Sequence, residues 1–129
     1  MINNNFEKKL KSKEFVFTAE TSPPDSTVRS EITDRVLCLK DLADAINVTD
    51  GASAKSHLSS LVVSSIIKDI EIEPILQLTT RDRNRIAIQS DLLGAWTLNI
   101  QNILCIYGDQ VETGDQPETK EVRDLDTLG

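Results

Sequence analysis

The chain has 129 residues, 39% of them apolar and 27% charged, which is the size and composition of one globular domain rather than of a fibrous, disordered or membrane protein. A formal net charge of −7 leaves no chain-wide basic field, so neither nucleic acid nor a membrane surface is an expected partner. No apolar stretch approaches the roughly 20 residues of a membrane span and the opening nine residues lack the apolar core of a signal peptide, so a cytoplasmic protein is expected.

Residues 1–14 read as a flexible polar arm, basic through Lys8, Lys9, Lys11 and Lys13. Residues 15–129 read as one domain. Its first element is a strand over residues 15–20, stopped by Pro23-Pro24-Asp25-Ser26. Ser26 then offers a helix N-cap, and Val28, Ile32, Val36 and Leu39 recur at helical spacing as far as Asp41. The pattern returns as a strand over 44–50 and a helix over about 55–68, with Leu58, Leu61, Val62 and Ile66 inward. It returns again as a strand over 73–79, with Asp82 as the cap of a helix that turns Ile86, Leu92, Leu93 and Trp96 inward. A fourth strand covers residues 102–109, and the acidic tail after it carries Glu112, Asp115, Glu118, Glu121, Asp124 and Asp126.

The polar residues that close the strands are Glu20, Asp50, Thr79 and Asp109, so the chain repeats about every 30 residues. Strands alternating with helices at that period predict right-handed parallel βαβ units, with every strand C-terminus on one rim. Two architectures use such units, the doubly wound sheet and the (β/α)8 barrel. A closed barrel takes about 250 residues, so the expected fold is α/β, four parallel βα units forming the N-terminal half of a TIM barrel, with a fifth unit beginning near residue 124. A doubly wound flavin or nucleotide carrier is the weaker reading, because no glycine-rich phosphate loop follows the first strand.

Several residues at the expected rim carry chemistry. Glu20 closes a strand that is expected to be buried, where desolvation raises a carboxyl toward the range of a general acid; helix capping is the plainer alternative. Asp109 follows Tyr107-Gly108, whose glycine permits close approach of backbone to a flat ligand. Thr49-Asp50-Gly51-Ala52 can offer a hydroxyl and backbone N–H groups. The run Arg81-Asp82-Arg83-Asn84-Arg85, with an aspartate inside it at a helix start, reads as a local salt-bridge and capping network. His57 reads as an exposed or satisfied polar residue and Trp96 as packing. Cys38 and Cys105, with the single His57, fit no disulfide framework and no metal site, and both cysteines are expected to be buried as small apolar residues in a reducing compartment.

Together these segments resemble the methylenetetrahydrofolate reductase family. The likeness lies in Thr18-Ala19-Glu20-Thr21-Ser22-Pro23-Pro24, in Ala45-Ile46-Asn47-Val48-Thr49-Asp50-Gly51-Ala52, in Leu76-Gln77-Leu78-Thr79-Thr80-Arg81-Asp82-Arg83-Asn84 running into Gln89-Ser90-Asp91-Leu92-Leu93-Gly94-Ala95, and in Tyr107-Gly108-Asp109, with Gly114-Asp115-Gln116-Pro117 in the tail. The resemblance implies a flavin-dependent (β/α)8 barrel that binds FAD at its C-terminal face and makes 5-methyltetrahydrofolate in one-carbon metabolism, with NADH or NADPH as electron donor and a protein carrier as the other possibility. It implies that Glu20 is the acid that protonates the folate nitrogen and opens its five-membered ring. It implies that Asp109 lies between flavin and folate, disfavouring anionic reduced flavin and favouring cationic folate intermediates. Thr49, Asp50, Ala52, Gln77, Tyr107 and Gly108 match flavin-shell positions, Thr49 also lying where members contact nicotinamide.

Two positions depart from well-known bacterial members, which have histidine at Gln77 and arginine at Tyr107. The strands that hold the adenine side of FAD and most folate contacts have no counterpart in the chain, so the expectation is a fragment that does not turn over by itself. The alternative is a non-catalytic half-barrel that pairs with itself or with a complementary subunit.

Overall fold

The computed structural model describes residues 5–128. A short helix, α1 (Asn5–Ser12), precedes three βα units and a fourth strand: β1 (Thr18–Thr21), α2 (Arg29–Leu37), β2 (Ala45–Val48), α3 (Ser60–Asp69), β3 (Pro74–Thr79), α4 (Arg85–Thr97) and β4 (Asn102–Ile106). Single 3₁₀ turns follow β2 at Ala52–Ala54 and β4 at Val111–Thr113.

The four strands form one sheet in the order β1-β2-β3-β4, and each neighbouring pair is parallel, with Glu20 beside Asn47, Asn47 beside Ile75 and Thr79 beside Ile106. This is an α/β fold in which sequential strands are spatial neighbours throughout. The order is consistent with half of a TIM barrel and lacks the reversal that makes a doubly wound sheet.

One face of the sheet is covered by helices. Ile46 and Val48 of β2 pack with Ile32 and Val36 of α2, with Val63, Ile66 and Ile67 of α3, and with Ile72. A second cluster joins Leu76 of β3, Ala95 of α4 and Ile100, with Leu61 and Ile103 against it. Each fully buried aliphatic side chain contributes roughly 1.5–3 kcal/mol, so these two clusters fix the strand ends above them. The returns from helix to strand are tight. After α3, the Ile72 N–H reaches the Ile67 carbonyl and the Glu71 N–H that of Lys68, with Glu71 left-handed at φ 64°. After α4, Ile100 and Asn99 repeat the arrangement on Ala95 and Trp96. Both are Schellman closures, and neither uses glycine.

The sequence expectations need correction at several points. No element is predicted before residue 15, yet Asn5–Ser12 is helical, because Phe6 is buried and Lys9 pairs with Asp44 at the start of β2. The α2 helix starts at Arg29, and Ser26 Oγ accepts only the Val28 N–H. Asn84, not Asp82, caps α4, its side chain accepting the Ala87 N–H at 3.0 Å. Val62, Ile86, Leu92, Leu93 and Trp96 are exposed rather than inward; α4 meets the rest of the fold through small residues, Ala95 in the core and Gly94 beside Leu61. Cys38 and Cys105 are exposed, the first in the turn after α2 and the second on the edge strand β4, which no described residue flanks on its outer side.

Candidate functional site

Glu20 lies on β1, Gln77 on β3, Thr49 and Asp50 directly follow β2, and Gly108 and Asp109 follow β4. Parallel pairing therefore brings their strand ends to one rim. There Glu20, Thr49, Asp50, Ala52, Gln77, Gly108 and Asp109, together with Ile106, line a single cleft of about 360 Å3. Of the residues that the resemblance assigns to acid chemistry and the flavin shell, Tyr107 alone lies outside it. The Tyr107 ring is exposed and lies under the Arg123 guanidinium, 3.6 Å from its centroid.

Within the cleft, the Gln77 carboxamide nitrogen approaches Glu20 Oε2 at 3.4 Å, and Thr49 Oγ1 donates to Ser22 Oγ at 3.0 Å. Glu20 is exposed, so the burial expected of its carboxyl is not found: β1 is an edge strand, and no described residue covers its far side. The Asp50 carboxylate is turned into the protein. It accepts the Thr79 N–H at 2.8 Å, Ser60 Oγ at 3.2 Å and Arg83 Nη1 at 2.6 Å, and Arg83 also pairs with Asp91. Asp109 Oδ2 accepts the Ser53 N–H at 2.7 Å, which ties the β4 loop to the β2 loop.

The basic run forms a salt-bridge network that is local only at Arg81–Asp82, Arg83–Asp91 and the Asn84 cap, and otherwise reaches other loops and the tail. Arg81 forks onto Asp82, Arg83 bridges Asp50 and Asp91, and Arg85 forks onto Asp124 in the tail. That last contact, chiefly the Arg85 side-chain hydrogen bond and then the Arg85 N–H, holds the Asp124 carboxyl down at about 2. The tail crosses back over the rim, with the Val122 N–H on the Arg81 carbonyl at 2.7 Å and Arg123 donating to the Tyr107 carbonyl at 2.9 Å. Sequence reasoning missed the reach of Arg81 into two other loops and the place of Arg123 over Tyr107. Only the acid–base alternation of residues 81–85 pointed toward the first, and nothing local signals the second. His57 sits behind the β2 loop with its Nε2 against the Ala52 carbonyl at 3.2 Å.

The sequence model of one family, methylenetetrahydrofolate reductase, matches residues 5–128. The chain belongs to the methylenetetrahydrofolate reductase family. Members of this family are folate-related oxidoreductases of one-carbon metabolism and generally use flavin. A search of curated proteins finds no match to the chain. No helix among the described residues is long and apolar enough to cross a membrane, and among the same residues no three His, Cys, Asp or Glu side chains gather as a metal site.

The chemistry of the cleft fits part of a flavin. Its polar groups are a carboxamide (Gln77), a hydroxyl (Thr49) and acids (Glu20, Asp50, Asp109), and no lysine or arginine lines it. Carboxamide and hydroxyl groups suit the donor and acceptor edge of a neutral ring. A diphosphate would meet the Glu20 and Asp109 carboxylates there, with Asp50 already paired to Arg83 and no cation lining the cleft. In this methylenetetrahydrofolate reductase family member the cleft therefore has the character of a ring site and not of a phosphate cradle.

Proposed function

We propose that residues 15–129 form the N-terminal half of a (β/α)8 barrel and supply one wall of the FAD and folate site of a methylenetetrahydrofolate reductase, in which flavin carries reducing equivalents from NADH or NADPH to 5,10-methylenetetrahydrofolate. The observation that carries this reading is the meeting of Glu20, Thr49, Asp50, Ala52, Gln77, Gly108 and Asp109 in one cleft at the C-terminal ends of the strands. Flavin, when bound, supplies the hydride. Gln77 and Thr49 orient the ring edge, while Gly108, at φ 86°, lets the backbone lie close to it. Glu20 delivers a proton to the folate nitrogen from the open side of the cleft, with the Gln77 amide fixing its carboxyl at the other oxygen. Asp109 places negative charge beside the ring and favours cationic folate species. Asp50 acts through the loop it braces, its oxygens already engaged by Arg83, Ser60 and Thr79.

Hydride transfer needs donor and acceptor held near contact, and the described residues supply a single wall. The chain alone is therefore proposed to bind FAD weakly and not to turn over. Titration of the purified chain with FAD, followed by flavin fluorescence, tests this. Saturable quenching at millimolar flavin or below, weakened by Gln77→Ala, is the expected result. No saturation in that range would overturn the reading, and measurable reduction of methylenetetrahydrofolate would overturn the claim of inactivity.

A second reading is favoured by the two sheet edges. Among the described residues β1 and β4 each have one neighbour, and Phe15, Phe17 and Leu104 are exposed beside them, a combination that invites strand pairing. A half-barrel that pairs with itself or with a complementary subunit would cover both edges. Light scattering that returns twice the chain mass supports self-pairing, and a monomer at high concentration rules it out.

A further inference from the structure

Arg81 is an unusual residue for the start of a surface loop. It is only 4% exposed, although a guanidinium is almost never fully buried unless its donors are satisfied. Its donors are spread over three loops. Nε and Nη2 fork onto the Asp82 carboxylate at 2.8 and 2.7 Å, in the loop after β3. Nη1 reaches the Gly51 carbonyl at 3.3 Å in the loop after β2 and the Asp109 carbonyl at 3.2 Å in the loop after β4. Gly51 is left-handed at φ 56°, and a Cβ there would lie 2.5 Å from Arg81 Nη2, so the guanidinium occupies the space that the glycine leaves. The Arg81 carbonyl in turn accepts the tail through the Val122 N–H.

We propose that Arg81 is a positioning residue for the rim: its guanidinium locks the loops after β2, β3 and β4 into one unit and so sets the Asp109 carboxylate over the cleft. Arg81 does not line that cleft. It acts through Asp109, whose backbone carbonyl it holds while the Asp109 side chain takes the Ser53 N–H. Lysine cannot replace it, because one ammonium cannot fork onto Asp82 and still reach two carbonyls on other loops. The functional consequence rests on the proposed flavin site; the locking of the loops does not.

The test compares the 129-residue chain with Arg81→Lys, Arg81→Ala and, as a control that loosens the core away from the rim, Ile67→Val. Two quantities are read. The first is the Ser53 amide proton signal in NMR spectra across the carboxylate pH range, which follows Asp109 as long as the carboxylate holds that N–H. The second is FAD affinity by fluorescence. Expected is loss of the pH-dependent Ser53 shift in both Arg81 variants and roughly tenfold weaker FAD binding, with neither changed in Ile67→Val. Should Arg81→Ala fail to fold, Arg81→Lys carries the comparison. A Ser53 signal in the Arg81 variants that still follows Asp109 as in the parent chain overturns the proposal whatever the flavin does. Absence of FAD binding in the parent chain overturns the proposed function alone, and the Ser53 signal then decides the role of Arg81.

Discussion

Arg83 Nη1 lies 2.6 Å from Asp50 Oδ2, and this pair closes the loop after β2 on the loop after β3. Both side chains are largely buried, and the same carboxylate also holds the Thr79 N–H and the Ser60 hydroxyl. Asp50 therefore has a structural task in full, even though it lines the cleft.

Removing that carboxylate leaves a buried N–H without its acceptor and a guanidinium with only Asp91 as ionic partner. Asp50→Ala is expected to lower stability by about 2–3 kcal/mol and Asp50→Asn, which keeps an acceptor, by about 1 kcal/mol. Urea denaturation of the two variants beside the parent chain checks the order. Equal stability of all three would return Asp50 to the role of a free ligand group.

The strand ends were legible because parallel βα units repeat at a nearly constant length, so Glu20, Asp50, Thr79 and Asp109 announce the rim without any knowledge of contacts. In helix α4 bulk does not mark burial. Its contact face is built from Ala95 and Gly94, while Ile86, Leu93 and Trp96 share the opposite stripe and stay exposed; small residues let the helix approach closely and give no hydrophobic signal. Cys105, a small apolar residue expected to be buried, is exposed because it lies on the edge strand β4. Arg81 stayed hidden because its partners, Gly51 and Asp109, are 30 and 28 residues away in sequence.

That reading of α4 makes a contrast that substitution can measure. Ile67 of α3 is fully buried in the cluster with β2 and α2, whereas Trp96 is 69% exposed. Ile67→Ala is expected to cost roughly 2–5 kcal/mol, and Trp96→Ala no more than about 0.5 kcal/mol in the isolated chain. Thermal unfolding distinguishes them. A large loss at Trp96 would mean that its ring is covered in solution.

The Schellman closure after α3 offers a stabilising change. Glu71 holds φ 64°, a region that costs a non-glycine residue about 1 kcal/mol, and its ion pair with Lys40 at 3.6 Å leaves the Glu71 side chain 88% exposed and is worth little. Glu71→Gly should raise the urea midpoint by the equivalent of about 0.5–1 kcal/mol, the relief of backbone strain outweighing the extra freedom of the unfolded chain. A lower midpoint would show that the Lys40 contact dominates.

The tail anchor should respond to acid. The Asp124 carboxyl is held down at about 2 by Arg85, below its ordinary value, so the contact is fully present above pH 4 and is lost as pH falls through about 2. Carbon-13 NMR titration of the Asp124 carboxyl should give a midpoint near 2, and Arg85→Met should return it toward the ordinary carboxylate range. A parent-chain midpoint near 4 would mean that the tail is not fastened to α4 in solution.

Gly108 tests the close approach on which the cleft depends. It holds φ 86°, and a Cβ there would stand 3.1 Å from Arg81 Cβ and 3.3 Å from Thr79 Cβ, neither of which is the loose end of a flexible chain. Alanine at this position meets backbone strain and crowding together, and the easiest relief is a shift of the adjoining Asp109 away from the β2 loop. Gly108→Ala is therefore expected to cost about 1–2 kcal/mol and to weaken FAD binding more than Gln77→Ala, because it displaces a whole loop where the other removes a single amide. Fluorescence titration of both variants decides the order, and FAD affinity unaltered in Gly108→Ala would place the flavin ring away from the β4 loop.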